Sequence, residues 1–291
     1  MPDSAHLRIG ALSRRVGVSP ELLRAWEQRY GLLQPIRSPG GFRLYSTADE
    51  DRVRVMQHHL DAGVSAAQAA RLALTGAAPD RGEEVHRGEL TRFSTELVSA
   101  LDRLDEPSAH ASLDRLLATF TLQTVLRDVV LPYLHELGER WERGETSVAQ
   151  EHFASNLLRG RLLGLARGWG QGAGPRAVLA CAPGELHDLP LIVFGLMLAG
   201  RGWIITYLGP DTPIATIQET LADLEARLVV ISAMTRQRFR SAEPRLTELV
   251  RQVPVALAGA GATEGLARAT GAFLLEGDPV TAAERVADER R

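Results

Sequence analysis

A chain of 291 residues exceeds the roughly 100 to 200 of a typical domain, so two or three domains are expected. Its 33 basic and 36 acidic residues leave a formal charge of -3, which excludes a globally cationic, histone-like binder. Every basic residue is arginine, which excludes a lysine Schiff base, and the single cysteine, Cys181, excludes an intramolecular disulfide.

The charge is uneven along the chain. Residues 1–76 carry ten arginines against seven acids, a balance of +3, and the rest carries 23 against 29, or -6. A basic head on an acidic body calls for an anionic partner at the head alone. The opening MPDSAHLRIG lacks the charged-then-apolar run of a secretion signal, and the most apolar stretch, 189–198, is about half a membrane span. A cytoplasmic protein with no membrane partner is expected.

Residues 9–16 read as a short helix stopped at Gly17, where glycine takes a left-handed turn at no steric cost. Ser19 then caps a second helix with Pro20 in its first turn, completing a helix-turn-helix. That helix, 20–30, sets Glu21, Arg24, Gln28 and Arg29 among Leu22, Leu23 and Trp26. After Pro35, the Gly40 and Gly41 pair and the run FRLY at 42–45 read as a β-ribbon wing with Arg43 near its tip. Residues 47–50 read as a capping box opening a third helix that ends at Gly63, and 65–68 repeat the device.

Residues 77–88, rich in Gly, Pro and charge without an apolar period, are expected to be a linker. From 89 to 168 apolar residues recur at helical spacing, Leu113, Leu116, Leu117 and Phe120 in one stripe and Leu157, Leu158, Leu162 and Leu165 in another, so a four-helix bundle is expected. GWGQGAGP at 168–175 marks a further boundary. From 176 to 291 the short apolar runs AVLAC, WIITYL, LVVISA, PVALAG and AFLLEG alternate with helical stretches, the pattern of a parallel sheet covered by helices. The expected fold class is multidomain: a winged helix-turn-helix over 1–76, a helical bundle over 89–168, and a Rossmann-like α/β domain with a parallel sheet over 176–291.

Glu185 and His187 fall just past the first strand of that last domain, where open α/β sheets place ligand sites. Read alone, a histidine beside Glu185 and Asp188 is more often a plain surface ion pair than a metal-binding imidazole whose other N–H meets a carboxylate. Trp141, read alone, fits a core residue, and Glu151 with His152 a solvated pair. There is no phosphate-cradling loop, no CxxC and no histidine pair at zinc spacing on a helix, so an enzyme is not expected.

Residues 8–75 resemble the DNA-binding domain of the MerR family of transcription regulators, on Arg24, Trp26 and Glu27, on Tyr30, Gly31 and Leu32, and on the wing glycines. The resemblance implies a dimer that docks its second helix in the major groove of double-stranded operator DNA, with Arg14, Arg24, Arg37, Arg43 and Tyr45 as candidate contacts. Residues 176–290 resemble the cobalamin-binding domain, whose signature is an acid, any residue, His, two residues and Gly, followed by Ser-x-Leu and paired glycines. What this implies is cobalamin, with His187 as the lower axial ligand to cobalt, Glu185 beside it, and Ser232, Gly259 and Gly261 by the nucleotide tail. Pro190, Met234 and Ala260 depart from the signature.

Trp141 with Glu151 and His152 resembles the helical cap of the light-sensing cobalamin repressors, in which these side chains cover the upper face and the adenosyl group. Glu142 stands where those repressors have a histidine, and His135 or His152 could take its place. Together the resemblances imply a repressor whose self-assembly, as dimer or tetramer, and operator binding respond to adenosylcobalamin and to photolysis of its Co–C bond. Cobalamin chemistry of the methyltransferase or mutase kind would need a substrate barrel that the chain lacks. The alternative is a MerR-type regulator whose last domain senses another ligand, such as another tetrapyrrole, or a protein.

Overall fold

Gly17, at φ 70°, ends α1 (Ile9–Val16) and turns the chain into α2 (Pro20–Tyr30), where Ser19 Oγ accepts the Leu22 N–H at 3.2 Å. The computed structural model describes residues 7–38, 40–75, 79–240 and 242–289, with backbone alone at 79–86. It divides into two units, Met1–Val130 and Leu131–Arg291.

In the first unit, α1 and α2 bury Leu12, Val16, Leu23 and Trp26 in a core shared with Leu32, Tyr45, Val53 and Met56. The wing strands β1 (Ile36–Arg37) and β2 (Arg43–Leu44) pair antiparallel and set Arg37 opposite Arg43. The box opening α3 (Thr47–Asp61) is Ser46 with Asp49, one residue earlier than the 47–50 expected. The buried Asp49 carboxylate decides the frame, because it accepts from the Ser46 and Gln34 N–H groups, both at 2.8 Å, and from Arg52. Ser65 Oγ accepts the Gln68 N–H as α4 (Ala66–Thr75) begins, which is one half of the box expected there; the Ser65 N–H donates instead to the Thr119 carbonyl at 3.0 Å, so the second box does not close.

The segment expected as a linker over 77–88 is instead helical from Pro79: α5 runs Pro79–Asp102. Residues 77 and 78 lie outside the described residues. Proline suits a first helical position, and the glutamates and arginines after it are good helix formers, so dense charge without an apolar period does not break the helix. Helix α6 (Glu106–Thr119) packs on α5, with Leu97, Leu101, Leu113 and Leu116 buried. A short α7 (Leu122–Val125) continues into a π-helical turn, Leu126–Val130. Thr124 Oγ1 donates to the Gly63 carbonyl at 3.0 Å, so close that a Cβ on Gly63 would collide with that hydroxyl.

The second unit opens with α8 (Leu131–Glu142) and α9 (Val148–Leu165), joined by a turn at Gly144 (φ 71°) and a capping box of Ser147 with Gln150. The α/β elements follow: β3 (Arg176–Cys181), α10 (Leu189–Ala199), β4 (Ile204–Gly209), α11 (Ile214–Ala222) and β5 (Ala226–Ser232). The chain then runs through α12 (Arg236–Arg240), α13 (Glu243–Val250), β6 (Val255–Ala258), α14 (Glu264–Thr270), β7 (Phe273–Leu274) and α15 (Pro279–Asp288). The sheet order is β4-β3-β5-β6-β7 and every pairing is parallel, as expected for near-continuous apolar strands buried on both faces. The chain goes from β3 to one side and returns to the other, so the order reverses between β3 and β5. A crevice opens at the carboxyl ends of strands at such a point.

The loops after β5 and β6 close tightly there. The Gly261 N–H donates to the Ala233 carbonyl at 2.9 Å, and a Cβ on Gly261 would lie 2.4 Å from the Thr235 backbone. Gly261→Ala is therefore expected to destabilise the second unit by about 1–3 kcal/mol, the usual scale for overpacking. An unchanged urea midpoint would show that the two loops are free to separate.

Candidate functional site

The loop after β3 is built around a buried carboxylate. Glu185 is 3% exposed, yet its Oε1 accepts the His187 backbone N–H at 2.9 Å and lies 2.6 Å from His187 Nδ1, while its Oε2 accepts the Met234 N–H at 2.8 Å. Met234 belongs to the loop after β5, so this side chain spans the crevice. Burial alone would raise the Glu185 carboxyl, but the hydrogen bonds outweigh it and hold its pKa below the ordinary 4.5. An anionic acceptor requires the proton on His187 Nδ1, so in the neutral imidazole the lone pair is on Nε2. Nε2 has no partner among the described residues, and the His187 side chain is 73% exposed.

Asp211, in the left-handed region at φ 47°, steadies the same loop: its carboxylate accepts the Gly184 N–H at 2.6 Å and its own N–H donates to the Glu185 carbonyl at 2.8 Å. Asp188 is buried and accepts from Arg159 Nε at 2.7 Å and from the Tyr207 hydroxyl. Pro190 lies in the first turn of α10, where its missing N–H costs nothing. Cys181, at the end of β3, is buried, and burial, with the Asp188 and Glu185 charges, pushes its thiol up to about 12. It is a buried thiol rather than a thiolate at neutral pH.

The remaining residues expected at this site fall in two places. Ser232 is buried at the end of β5, and a Cβ on Gly259 would meet its hydroxyl at 3.2 Å and the Ala233 carbonyl at 2.4 Å. Gly261 lines a cleft of about 310 Å³ with Arg236, Arg240 and Thr263. Both glycines are thus required by the approach of one loop to the other. Trp141, exposed, lies near the end of α8, and Glu151 and His152 begin α9 across the Gly144 turn. Glu151 accepts from Ser155 Oγ at 2.8 Å and pairs with His152 at 3.5 Å. His135 pairs with Glu139 at 3.2 Å. Sequence reasoning missed the Met234 N–H, since the motif was read through its side chain. It also missed Arg159, whose partner Asp188 lies 29 residues away in sequence.

In the head, Arg14 and Arg24 are exposed and have no carboxylate partner among the described residues. Arg37 reaches the Gly41 carbonyl at 3.4 Å, and Arg43 Nε donates to Glu27 Oε1 at 3.0 Å. Tyr45, expected as a DNA contact, is instead wholly buried, and its hydroxyl donates to Glu27 Oε2 at 2.8 Å. The Leu7 bridge pins its backbone and turns the ring into the core; burial first, and Glu27 second, raise its pKa. Its role is to hold the glutamate that holds Arg43.

The depressed Glu185 carboxyl gives the second unit a defined acid response. A carboxylate with a lowered folded pKa contributes stability that is fully present above 4.5 and is lost as pH falls through the folded value. Glu185→Gln is expected to flatten that acid limb. It should also cost about 1–3 kcal/mol at neutral pH, because an amide NH₂ turned to either partner leaves a buried donor unmet. A variant with an unaltered stability-against-pH curve would contradict the assignment.

Comparison with known proteins follows the same division. A family model described as MerR HTH family regulatory protein matches residues 7–74, and two models described as B12 binding domain match 94–163 and 175–286. The HTH-type transcriptional repressor CarH of Myxococcus xanthus is 32% identical over 266 residues, spanning 88% of this chain and 89% of that one. CarA of the same organism, also an HTH-type transcriptional repressor, is 32% identical over 89% of this chain and 88% of its own. The monomethylamine corrinoid protein of Methanosarcina barkeri superposes with a TM-score of 0.57 at 17% identity, covering 68% of this chain and 99% of that one, a likeness of fold. The CarH and CarA matches run along both chains almost end to end, and the chain therefore belongs to the family of helix-turn-helix transcriptional repressors that join a MerR head to B12 binding domains.

Proposed function

We propose that the protein is a cobalamin-dependent transcriptional repressor whose self-assembly and operator binding are set by adenosylcobalamin and by light. The observation that carries this reading is the His187 imidazole, anchored at Nδ1 by a buried carboxylate and offering Nε2 to solvent at the crevice where the strand order reverses. Among the described residues no three His, Cys, Asp or Glu side chains converge on one point. A metal held by His187 would bring its other ligands with it, as cobalt in a corrin does.

The residues present fit such a group. His187 would hold its lower face, and the close-packed Ser232, Gly259 and Gly261 would lie by its tail. Trp141, Glu151 and His152 would cover the upper face. Trp141 and Val148 by the Gly144 turn, and Leu186 and Met234 by Glu185, are exposed large apolar side chains, and a bound ring would cover apolar surface of this kind. When bound, adenosylcobalamin supplies a cobalt–carbon bond that light breaks. A ligand that binds the assembled dimer or tetramer better than the separated chains shifts the population toward assembly.

At the head, α2 would enter the major groove of operator DNA in the cytoplasm, with Arg14, Arg24, Arg37 and Arg43 on phosphates and base edges. Arg43 is half-exposed and meets Glu27 through Nε, which would leave its terminal nitrogens for a phosphate. This is a regulatory role rather than a catalytic one. Among the described residues no helix is long and apolar enough to cross a membrane.

The test is the visible spectrum of the protein after dark incubation with adenosylcobalamin and desalting, read before and after green light. A retained corrin whose spectrum changes on illumination is expected, with at least tenfold weaker uptake by His187→Ala. A protein that retains no corrin would overturn the reading, and a retained but light-inert corrin would remove its photosensory half. For the head, Arg43→Ala should weaken binding to all sequences alike and lower the salt slope by about one.

A further inference from the structure

Helix α9 carries Glu151, Ser155 and Arg159 at four-residue intervals, so the three lie on one stripe about 12 Å long. At one end Ser155 Oγ donates to Glu151 Oε1; at the other Arg159 Nε donates to Asp188 Oδ2 at 2.7 Å. Asp188 follows His187 directly and sits at the N-cap of α10, a position where aspartate ordinarily accepts the helix's own free N–H groups. It makes no such bond. Its carboxylate, 4% exposed, is turned to Arg159 and to the Tyr207 hydroxyl, which rises from β4. A local cap has been given up for a contact that reaches 29 residues back along the chain.

We propose that Arg159 is a positioning residue of the cofactor site: through Asp188 and Tyr207 it straps α9, the helix begun by Glu151 and His152, to the loop that presents His187. The inference rests on the cobalamin reading and deepens it. The two residues at the start of α9 and the imidazole below would otherwise be set by separate elements, a helix hairpin and a sheet edge. The strap makes them one frame. Because Asp188 is buried, α9 cannot leave the His187 loop without breaking a charge-assisted hydrogen bond to it. Ligation at His187 is then felt at the start of α9, and a disturbance at the upper face is felt by the His187 loop.

Hydrogen exchange of the α9 amides in the full-length chain, with and without hydroxocobalamin, tests this. In the wild type, corrin binding is expected to slow exchange along α9. In Arg159→Met the bound corrin should keep the histidine-ligated visible spectrum, while the ligand-induced slowing along α9 falls at least tenfold. Taking each variant's own ligand-free exchange as its reference removes any uniform loss of stability from the comparison. Tyr207→Phe removes one donor and no charge, should fold whether or not Arg159→Met does, and is expected to give an intermediate loss. Equal slowing in the variants and the wild type, or a wild type that keeps its corrin without slowing along α9, would overturn the strap and leave the cobalamin reading standing. A wild type that keeps no corrin overturns both, since the strap then has nothing to grip.

Discussion

Burying a carboxylate at the mouth of a parallel sheet is costly, and the second unit is organised around meeting that cost. Glu185 is satisfied only if the loop after β3 folds back to offer the His187 N–H and ring, and only if the loop after β5 comes close enough to offer the Met234 N–H. The second condition ties two strands' loops across the point where strand order reverses. It is also why the loop after β6 must pack so closely, with glycine at 259 and 261. The histidine is placed as a by-product of solving an electrostatic problem, and a proton on Nδ1 is part of the solution.

The head solves a similar problem with different parts. Asp49 is buried and gathers two backbone N–H groups and Arg52; Glu50 takes Arg15 and Arg54; Glu27 takes Arg43 and Tyr45. The head's positive balance thus survives on its surface as a selected subset of its arginines, because several are committed to internal carboxylates. An all-arginine complement suits both tasks, since the guanidinium fork matches carboxylate and phosphate alike. The wing is linked to α2 through Glu27, so the two elements proposed to meet DNA are joined at one carboxylate.

How much of this was legible beforehand follows from the range of the interactions. Gly17, Ser19 and Pro20 act within a few residues of themselves, and the helix-turn-helix was readable from them. The parallel sheet was readable because a strand covered on both faces has no polar side. The frame of the α3 cap was not, since Ser46 and Thr47 are both good caps and the choice fell to Asp49 meeting Gln34, 15 residues away. The segment before residue 89 misled because its composition resembles a loop while its glutamates and arginines favour a helix. Tyr45 misled because a tyrosine on a basic wing looks like a contact, and its acceptor lies 18 residues earlier. The Arg159–Asp188 pair has no local signature at all.

Cys181 is the only thiol in the chain, and it lies at the end of the strand whose loop carries the histidine. With its pKa pushed up to about 12, it holds almost no thiolate at neutral pH and is shielded from alkylating and oxidising reagents. Its silence lasts only as long as β3 stays in the middle of the sheet. Any event that opens that strand turns a single sulfur from inert to reactive, so the native chain carries its own chemical clock for the opening of its sheet, with no label to be engineered and no second thiol to confuse the count.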